Sequence, residues 1–84
     1  MKLPERFKLH KLQAGMYGLS KDKLVIATIK KADLPGNYNY NWKWRLVEVP
    51  NNSYYGPVQG YTETLESAAK HLIFWVFYED RSGE

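Results

Sequence analysis

Strict alternation over residues 38–46 is the sequence feature that most constrains the fold. Aromatic or aliphatic side chains fill every even position and polar side chains fill every odd one. Period-two alternation is typical of a strand with one buried and one open face. A register slip of one residue would bury Lys43 and Arg45, so the pattern predicts a fixed register with both cations on the open face.

Three further segments favour strands. Turn signals at residues 20–22, 33–37 and 50–53 separate β-prone runs of hairpin length. One run covers about 13–19 and continues into 24–31, where 24–29 is apolar on both faces and indicates a central strand. The last run, about 54–61, contains Gly56, Pro57 and Gly60. Proline removes a ladder donor, so this run predicts an edge or bulged strand.

The C-terminal part of the chain predicts one continuous helix over residues 62–79. Thr62 or Thr64 is a suitable cap, and Glu63 and Glu66 lie where the helix dipole favours acids. At helical spacing, one apolar stripe is expected to face the core: Leu65, Ala68, Ala69, Leu72, Ile73, Trp75 and Val76.

Together these segments predict a single α+β domain over residues 1–84. We expect an antiparallel β-meander of three to four strands over 13–61, packed against one C-terminal α-helix, with residues 80–84 as a tail. Residues 1–12 fit two interpretations. Pro4 suits the start of a short helix, whereas Phe7, Leu9 and Leu12 suit an extended strip over the core.

The composition indicates a small cytoplasmic protein. The chain has no cysteine, which excludes disulfides and thiolate metal ligands. Its N-terminus lacks the apolar run of a signal peptide, and its longest apolar stretch, residues 72–78, is too short to span a bilayer. We therefore expect a cytoplasmic location and no membrane association.

The sequence offers no motif for catalysis. His10 and His71 have no nucleophile or metal partner at a recognisable spacing, and the dipole explains Glu63 and Glu66 better than acid–base chemistry does. No glycine-rich phosphate loop is present. These observations predict a protein that is not an enzyme and that binds neither a metal nor a cofactor.

Charge is unevenly distributed along the chain. Residues 1–45 hold ten Lys and Arg against three acids, whereas residues 46–84 hold two against six. The basic strand region favours a polyanion such as DNA, which a sheet can contact through the major groove. The predicted DNA-binding residues are Lys23, Lys30, Lys31, Asn39, Asn41, Lys43 and Arg45. An ordinary solvated sheet face is the alternative.

Aromatic residues offer two further surfaces. Tyr40, Trp42 and Trp44 suit either core packing against the helix or a platform for stacking bases. On the helix, Phe74, Phe77 and Tyr78 fall outside the apolar stripe, beside Lys70. One interpretation is that the N-terminal strip covers this flank. The alternative is that the flank binds a second copy of the chain, giving a homodimer, or a host protein complex, as a small inhibitor or adaptor would.

Residues 61–69, Tyr-Thr-Glu-Thr-Leu-Glu-Ser-Ala-Ala, follow the basic meander and open the helix. This junction resembles that of the AP2-like domains, which include the arm-site-binding domains of phage integrases. The resemblance covers about residues 23–78 and implies a three-stranded sheet in the DNA major groove, with Lys43 and Arg45 as contacts. Residues 61–65 are equally similar to a small phage-encoded inhibitor of bacterial RNA polymerase. A phage or mobile-element accessory protein is therefore implied.

Overall fold

Five antiparallel strands and one C-terminal helix form the part of the domain that the structure describes. The computed structural model describes residues 3–32, 41–50 and 52–77. Its strands lie in chain order, as β1 Phe7–Gln13, β2 Met16–Lys21, β3 Leu24–Lys31, β4 Trp42–Leu46 and β5 Gln59–Thr62. The helix α1, Leu65–His71, follows and continues as a π-helical turn over Leu72–Val76. The α+β prediction is confirmed, with one strand more than expected.

The additional strand lies in the N-terminal segment that the sequence left open between a helix and a strip. β1 pairs antiparallel with β2, with Phe7 opposite Lys21 and Leu9 opposite Leu19. The register shifts between Lys11 and Gln13, so one extra residue breaks the alternation begun at Phe7. This bulge explains why a two-residue period is hard to recognise in the segment.

A tight turn joins β2 to β3. Asp22 and Lys23 both adopt positive φ, 51° and 73°. Two consecutive left-handed residues match the twist of a two-residue hairpin. β3 then lies at the centre of the sheet, between β2 and β4, as its apolar sequence predicts.

The predicted register of β4 is confirmed. Trp44 pairs with Ile29 of β3, and its exposed fraction is 3%. Lys43 and Arg45 point to the opposite face because successive side chains alternate along a strand. Residues 38–40, the start of the alternating run, lie outside the described residues.

β5 is an edge strand, as predicted, but it is shorter than the expected run over 54–61. Among the described residues it pairs only with β4, and Gly60 lies directly opposite Trp44. Tyr54 and Pro57 lie in the loop before the strand, where the Tyr54 hydroxyl donates a 2.5 Å hydrogen bond to the Pro57 carbonyl.

Thr64 caps the helix. Its hydroxyl accepts a hydrogen bond from the Ser67 backbone N–H at 3.0 Å, and the Ser67 hydroxyl accepts one from the Thr64 N–H at 3.1 Å. This reciprocal pair satisfies two backbone donors that a helix start leaves unpaired. The helix therefore begins at Leu65, and the helical segment ends at Val76, inside the predicted range of 62–79.

The π-helical turn overturns two predictions about the helix faces. Phe77 donates its backbone N–H to the Leu72 carbonyl at 2.8 Å, an i→i+5 bond that places Phe77 above Leu72. Phe77 is consequently buried, with 1% of its surface exposed, instead of lying on an exposed flank. Trp75 turns away from the core and is 74% exposed, although α-helical spacing predicts it in the buried stripe.

The core lies between the helix and one face of the sheet. The other predicted stripe residues are buried or partly buried against this core, with Ala68, Ala69, Leu72 and Ile73 fully enclosed. The helix packs over β3, β4 and β5. The opposite face of the sheet carries no helix among the described residues.

Candidate nucleic-acid interface

The five strands contain no acidic residue. Asp and Glu of the described chain lie in turns, in loops and in or beside the helix. The strands instead contain seven cations, namely Lys8, Lys11, Lys21, Lys30, Lys31, Lys43 and Arg45. A sheet of one charge sign attracts anions along its whole surface.

Three of these cations form the open-face cluster: Lys30, Lys43 and Arg45. Lys30 lies directly opposite Lys43 across the β3–β4 ladder, and Arg45 lies one row further, opposite Thr28. Directly opposed side chains on one face have Cβ atoms about 5 Å apart, a distance at which like charges repel. In the described part of the chain, no carboxylate forms an ion pair with any of the three.

The cluster surrounds a shallow depression. Its volume is about 270 Å³, and Met16 and Thr28 complete its lining. Met16 is opposite Lys30 on β2, and its sulfur accepts a hydrogen bond from the Gln13 side-chain amide at 3.5 Å. The depression thus offers cations around a floor of mixed polarity, a combination suited to a phosphate next to a sugar or a base.

Tyr61 extends the open-face cluster to the edge of the sheet. It is opposite Lys43 on β5, and the Lys43 Nζ atom lies 5.7 Å from the centre of its ring. The ring is 44% exposed. The cation–π contact holds the Lys43 side chain across the face while leaving ring surface accessible.

The structure separates two of the other predicted DNA-binding residues, Lys23 and Lys31, from the cluster. Lys31 is opposite Trp42 and therefore points to the helix-bearing face. Lys23 lies in the β2–β3 turn, roughly 23 Å along β3 from Lys30 at the usual rise per residue. Asn41 precedes β4 and is exposed; its carbonyl accepts the Ala32 N–H at 2.7 Å. Asn39 lies outside the described residues.

The aromatic side chains of β4 are not positioned as a stacking platform on the open face. Trp44 is buried, and Trp42 is half-buried with an edge-on contact to Tyr17 at 6.0 Å between ring centres. Core packing is therefore their role, as one of the two interpretations expects. Tyr40 lies outside the described residues.

The predicted partner-binding flank is altered by the π-helical turn. Phe74 is 38% exposed and neighbours the exposed Trp75, whereas Phe77 is buried. Lys70 forms a salt bridge with Glu66 at 2.9 Å. Tyr78 lies outside the described residues. The N-terminal strip predicted to cover this flank forms β1, which pairs with β2 in the sheet. On the flank, Phe74 and Trp75 are exposed.

His71 contacts the core. Its ring lies 5.3 Å from that of Trp44, centre to centre. Burial lowers the pKa of His71 from its ordinary value. Among residues 3–32, 41–50 and 52–77, no three His, Asp or Glu side chains are grouped to hold a metal ion. The same residues include no helix long and apolar enough to cross a membrane.

Sequence reasoning did not identify Met16, Thr28 and Tyr61 as parts of the site. Their positions depend on which strands are neighbours and on the register between them. Polar–apolar alternation within a single strand contains neither piece of information. Tyr61 in particular is placed on the open face by its pairing with Lys43.

Comparison with known proteins adds no relative. No protein-family model matches the chain, and neither a curated protein nor a solved structure matches it significantly. The resemblance to the integrase arm-site-binding domains therefore stays a prediction.

Proposed function

We propose that this protein is a non-enzymatic DNA-binding domain that acts in the cytoplasm through the open face of its sheet. The observation that carries the proposal is the open-face cluster, which forms no ion pair within the described part of the chain, on a sheet whose strands contain no acid. The absence of cysteine throughout the chain supports a reducing compartment.

The electrostatic cost of the cluster supports a bound anion. Lys30 and Lys43 face each other although like charges at this position destabilise a sheet. A domain of 84 residues has little stability to lose. A phosphate between the two ammonium groups would convert the repulsion into two charge-assisted hydrogen bonds.

The width of the sheet indicates how DNA would be contacted. Five strands at about 4.8 Å spacing span roughly 19 Å, more than the approximately 12 Å width of the major groove. Three strands span only about 10 Å. The open faces of β3, β4 and β5, which carry the cluster and Tyr61, would therefore enter the groove, with β1 and β2 near the phosphate backbone.

Salt-dependent binding tests the proposal. The affinity for a fluorescent duplex is measured by anisotropy at low and at physiological salt for the wild type, Lys43→Ala and Arg45→Ala. Each phosphate contact contributes about 0.9 to the slope of log affinity against log salt, so a variant that loses one contact should lose about that much slope.

Lys31→Ala provides a matched control. Lys31 adjoins Lys30 in sequence and has the same charge, but it points to the helix-bearing face. The control should bind like the wild type. Absence of binding at low salt, or an equal loss in Lys31→Ala, would contradict the open-face model.

The exposed aromatic pair Phe74 and Trp75 favours a second candidate function, that of a protein-binding inhibitor or adaptor. Large aromatic side chains on a surface often anchor a protein partner. Sedimentation of the wild type and Trp75→Ser tests whether the protein forms a homodimer through the helix, because such a homodimer would dissociate in the variant. Monomers in both samples would rule out this self-association.

A further inference from the structure

The outer edge of β1 is an unpaired strand edge within the described part of the chain. β1 is seven residues long and pairs only with β2, whereas the opposite edge strand, β5, has four residues. A free strand edge presents backbone donors and acceptors on which another extended chain can pair. The edge of β1 is therefore the larger template of the two.

Hydrogen bonding at the base of the hairpin shows which residues of β1 present their backbone outward. The Asp22 N–H donates to the Arg6 carbonyl at 3.0 Å, so Arg6 is directed toward β2. In an antiparallel pair, every second residue bonds the partner strand and the residues between point away. By this alternation Lys8 and His10 bond β2, while Leu9 and Lys11 direct their N–H and C=O groups outward.

The two sides of this edge differ in chemistry. A cleft of about 490 Å³ follows the edge, lined by Leu3, Phe7, Lys8, Leu9 and His10. Phe7 and Leu9 belong to the helix-bearing face, where Leu3 also packs against the core. Lys8 and His10 belong to the open face. A strand added here would meet apolar side chains on one face and basic ones on the other.

We propose that the outer edge of β1 binds an extended peptide segment with alternating apolar and acidic residues, as a sixth strand of the sheet. Its backbone pairs with Leu9 and Lys11, as in other cases of strand addition. Its apolar residues lie beside Leu3 and Leu9, and its carboxylates lie beside Lys8 and His10. Charge complementarity selects this occupant, because β1 and β2 contain no acid.

The same charges disfavour a second copy of the chain at this edge. Pairing two β1 strands would place two lysine-bearing strands without acids side by side, and like charges across a pair of strands are destabilising. Edge lysines commonly prevent self-association of sheets. An acidic segment is the extended partner that these lysines favour rather than repel.

Amide exchange in the full chain tests the proposal. The probe is a short capped peptide that alternates leucine and glutamate. Binding should slow exchange of the Leu9 and Lys11 amides, which point outward, and leave that of His10, already bonded to β2, nearly unchanged. A peptide with lysine in place of glutamate should bind at least about tenfold more weakly. Equal binding of both peptides, or no protection at Leu9 and Lys11, would overturn the proposal.

Two variants test whether peptide binding depends on the edge of β1, and a third variant is the control. Lys11→Pro removes an outward donor from an exposed edge position, where proline is tolerated, and should abolish peptide binding while the circular dichroism spectrum is retained. Lys8→Glu should weaken the glutamate peptide and strengthen the lysine peptide, a reversal that misfolding does not produce. Lys43→Ala, on β4, should bind the peptide like the wild type. Loss of binding in Lys43→Ala, or a wild-type dimer that Lys11→Pro dissociates, would overturn the proposal.

Discussion

The contact between Gly60 and Trp44 makes one position of β5 intolerant of any side chain. The two residues are directly opposite across the β4–β5 ladder. A Cβ atom at Gly60 would lie 2.8 Å from each of three atoms of the Trp44 indole. The indole is buried and also contacts His71, so it has little room to move aside. Gly60→Ala should therefore lower the free energy of unfolding.

The magnitude follows from two opposing effects. Overfilling a packed site costs about 1–3 kcal/mol. Replacing glycine by alanine also restricts the unfolded chain, which returns about 0.4–1 kcal/mol where the native backbone accepts alanine. Mid-range values of both effects give a net loss of about 1–2 kcal/mol. For a domain of this size each kcal/mol lowers the melting temperature by about 4–8 °C, so a decrease of about 4–16 °C is expected.

Gly18→Ala is the matched control for thermal and urea denaturation. A Cβ atom at Gly18 would approach the Leu12 side chain at 3.2 Å, but Leu12 is half-exposed and free to rotate away. The unfolded-state effect is the same for both substitutions, so Gly18→Ala should be neutral or slightly stabilising. If Gly60→Ala were as stable as Gly18→Ala, the indole would not be held where the structure has it, and the reasoning would fail.

Two further predictions concern the helix. Phe77 is buried, so Phe77→Ala should lower the free energy of unfolding by about 3–5 kcal/mol. Trp75 is exposed, so Trp75→Ala should change it by less than about 0.5 kcal/mol. The reverse order in urea denaturation would refute the π-helical turn. Burial lowers the pKa of His71 below its usual 6.5, so the unfolded chain binds a proton more readily than the folded one. Its contribution to stability is complete above pH 6.5 and is lost as the pH falls toward the folded pKa. Melting temperatures measured across this range should rise with pH, and His71→Gln should flatten the rise; an unchanged slope in the variant would contradict this.

Sequence alone predicts the parts of the fold that depend on the spacing of polar and apolar side chains within a single strand or helix. The alternation through Lys43 and Arg45 specifies a strand and its open face without any knowledge of neighbouring strands. The helix prediction fails where the period changes. Trp75 and Phe77 exchange places because the wider i→i+5 turn over Leu72–Val76 rotates side chains away from their α-helical positions. Nothing in the local sequence distinguishes this turn from an α-helical one.

β1 and the cluster show a second limit. The alternation of Phe7, Lys8, Leu9 and His10 is a strand pattern, but the bulge after Lys11 ends it before it becomes long enough to recognise. The cluster depends on pairing between strands: Lys30 and Lys31 are equivalent in sequence, and only the β3–β4 register directs Lys30 to the open face and Lys31 to the other. The part that β3 contributes to the predicted basic surface is therefore decided by register, which is a tertiary property.

The two proposed binding surfaces use different groups of the sheet. The open-face cluster presents side-chain cations at the centre and at the β5 side, so its affinity should decrease with salt. The β1 edge presents backbone groups, and hydrogen bonds of this kind respond to proline and to peptide alternation much more than to salt. An acidic strand added at β1 would also place carboxylates beside Lys8 on the open face, within a Debye length of DNA phosphates on the same face. Since both ligands are anionic there, each should weaken the binding of the other, and by thermodynamic reciprocity the two factors must be equal.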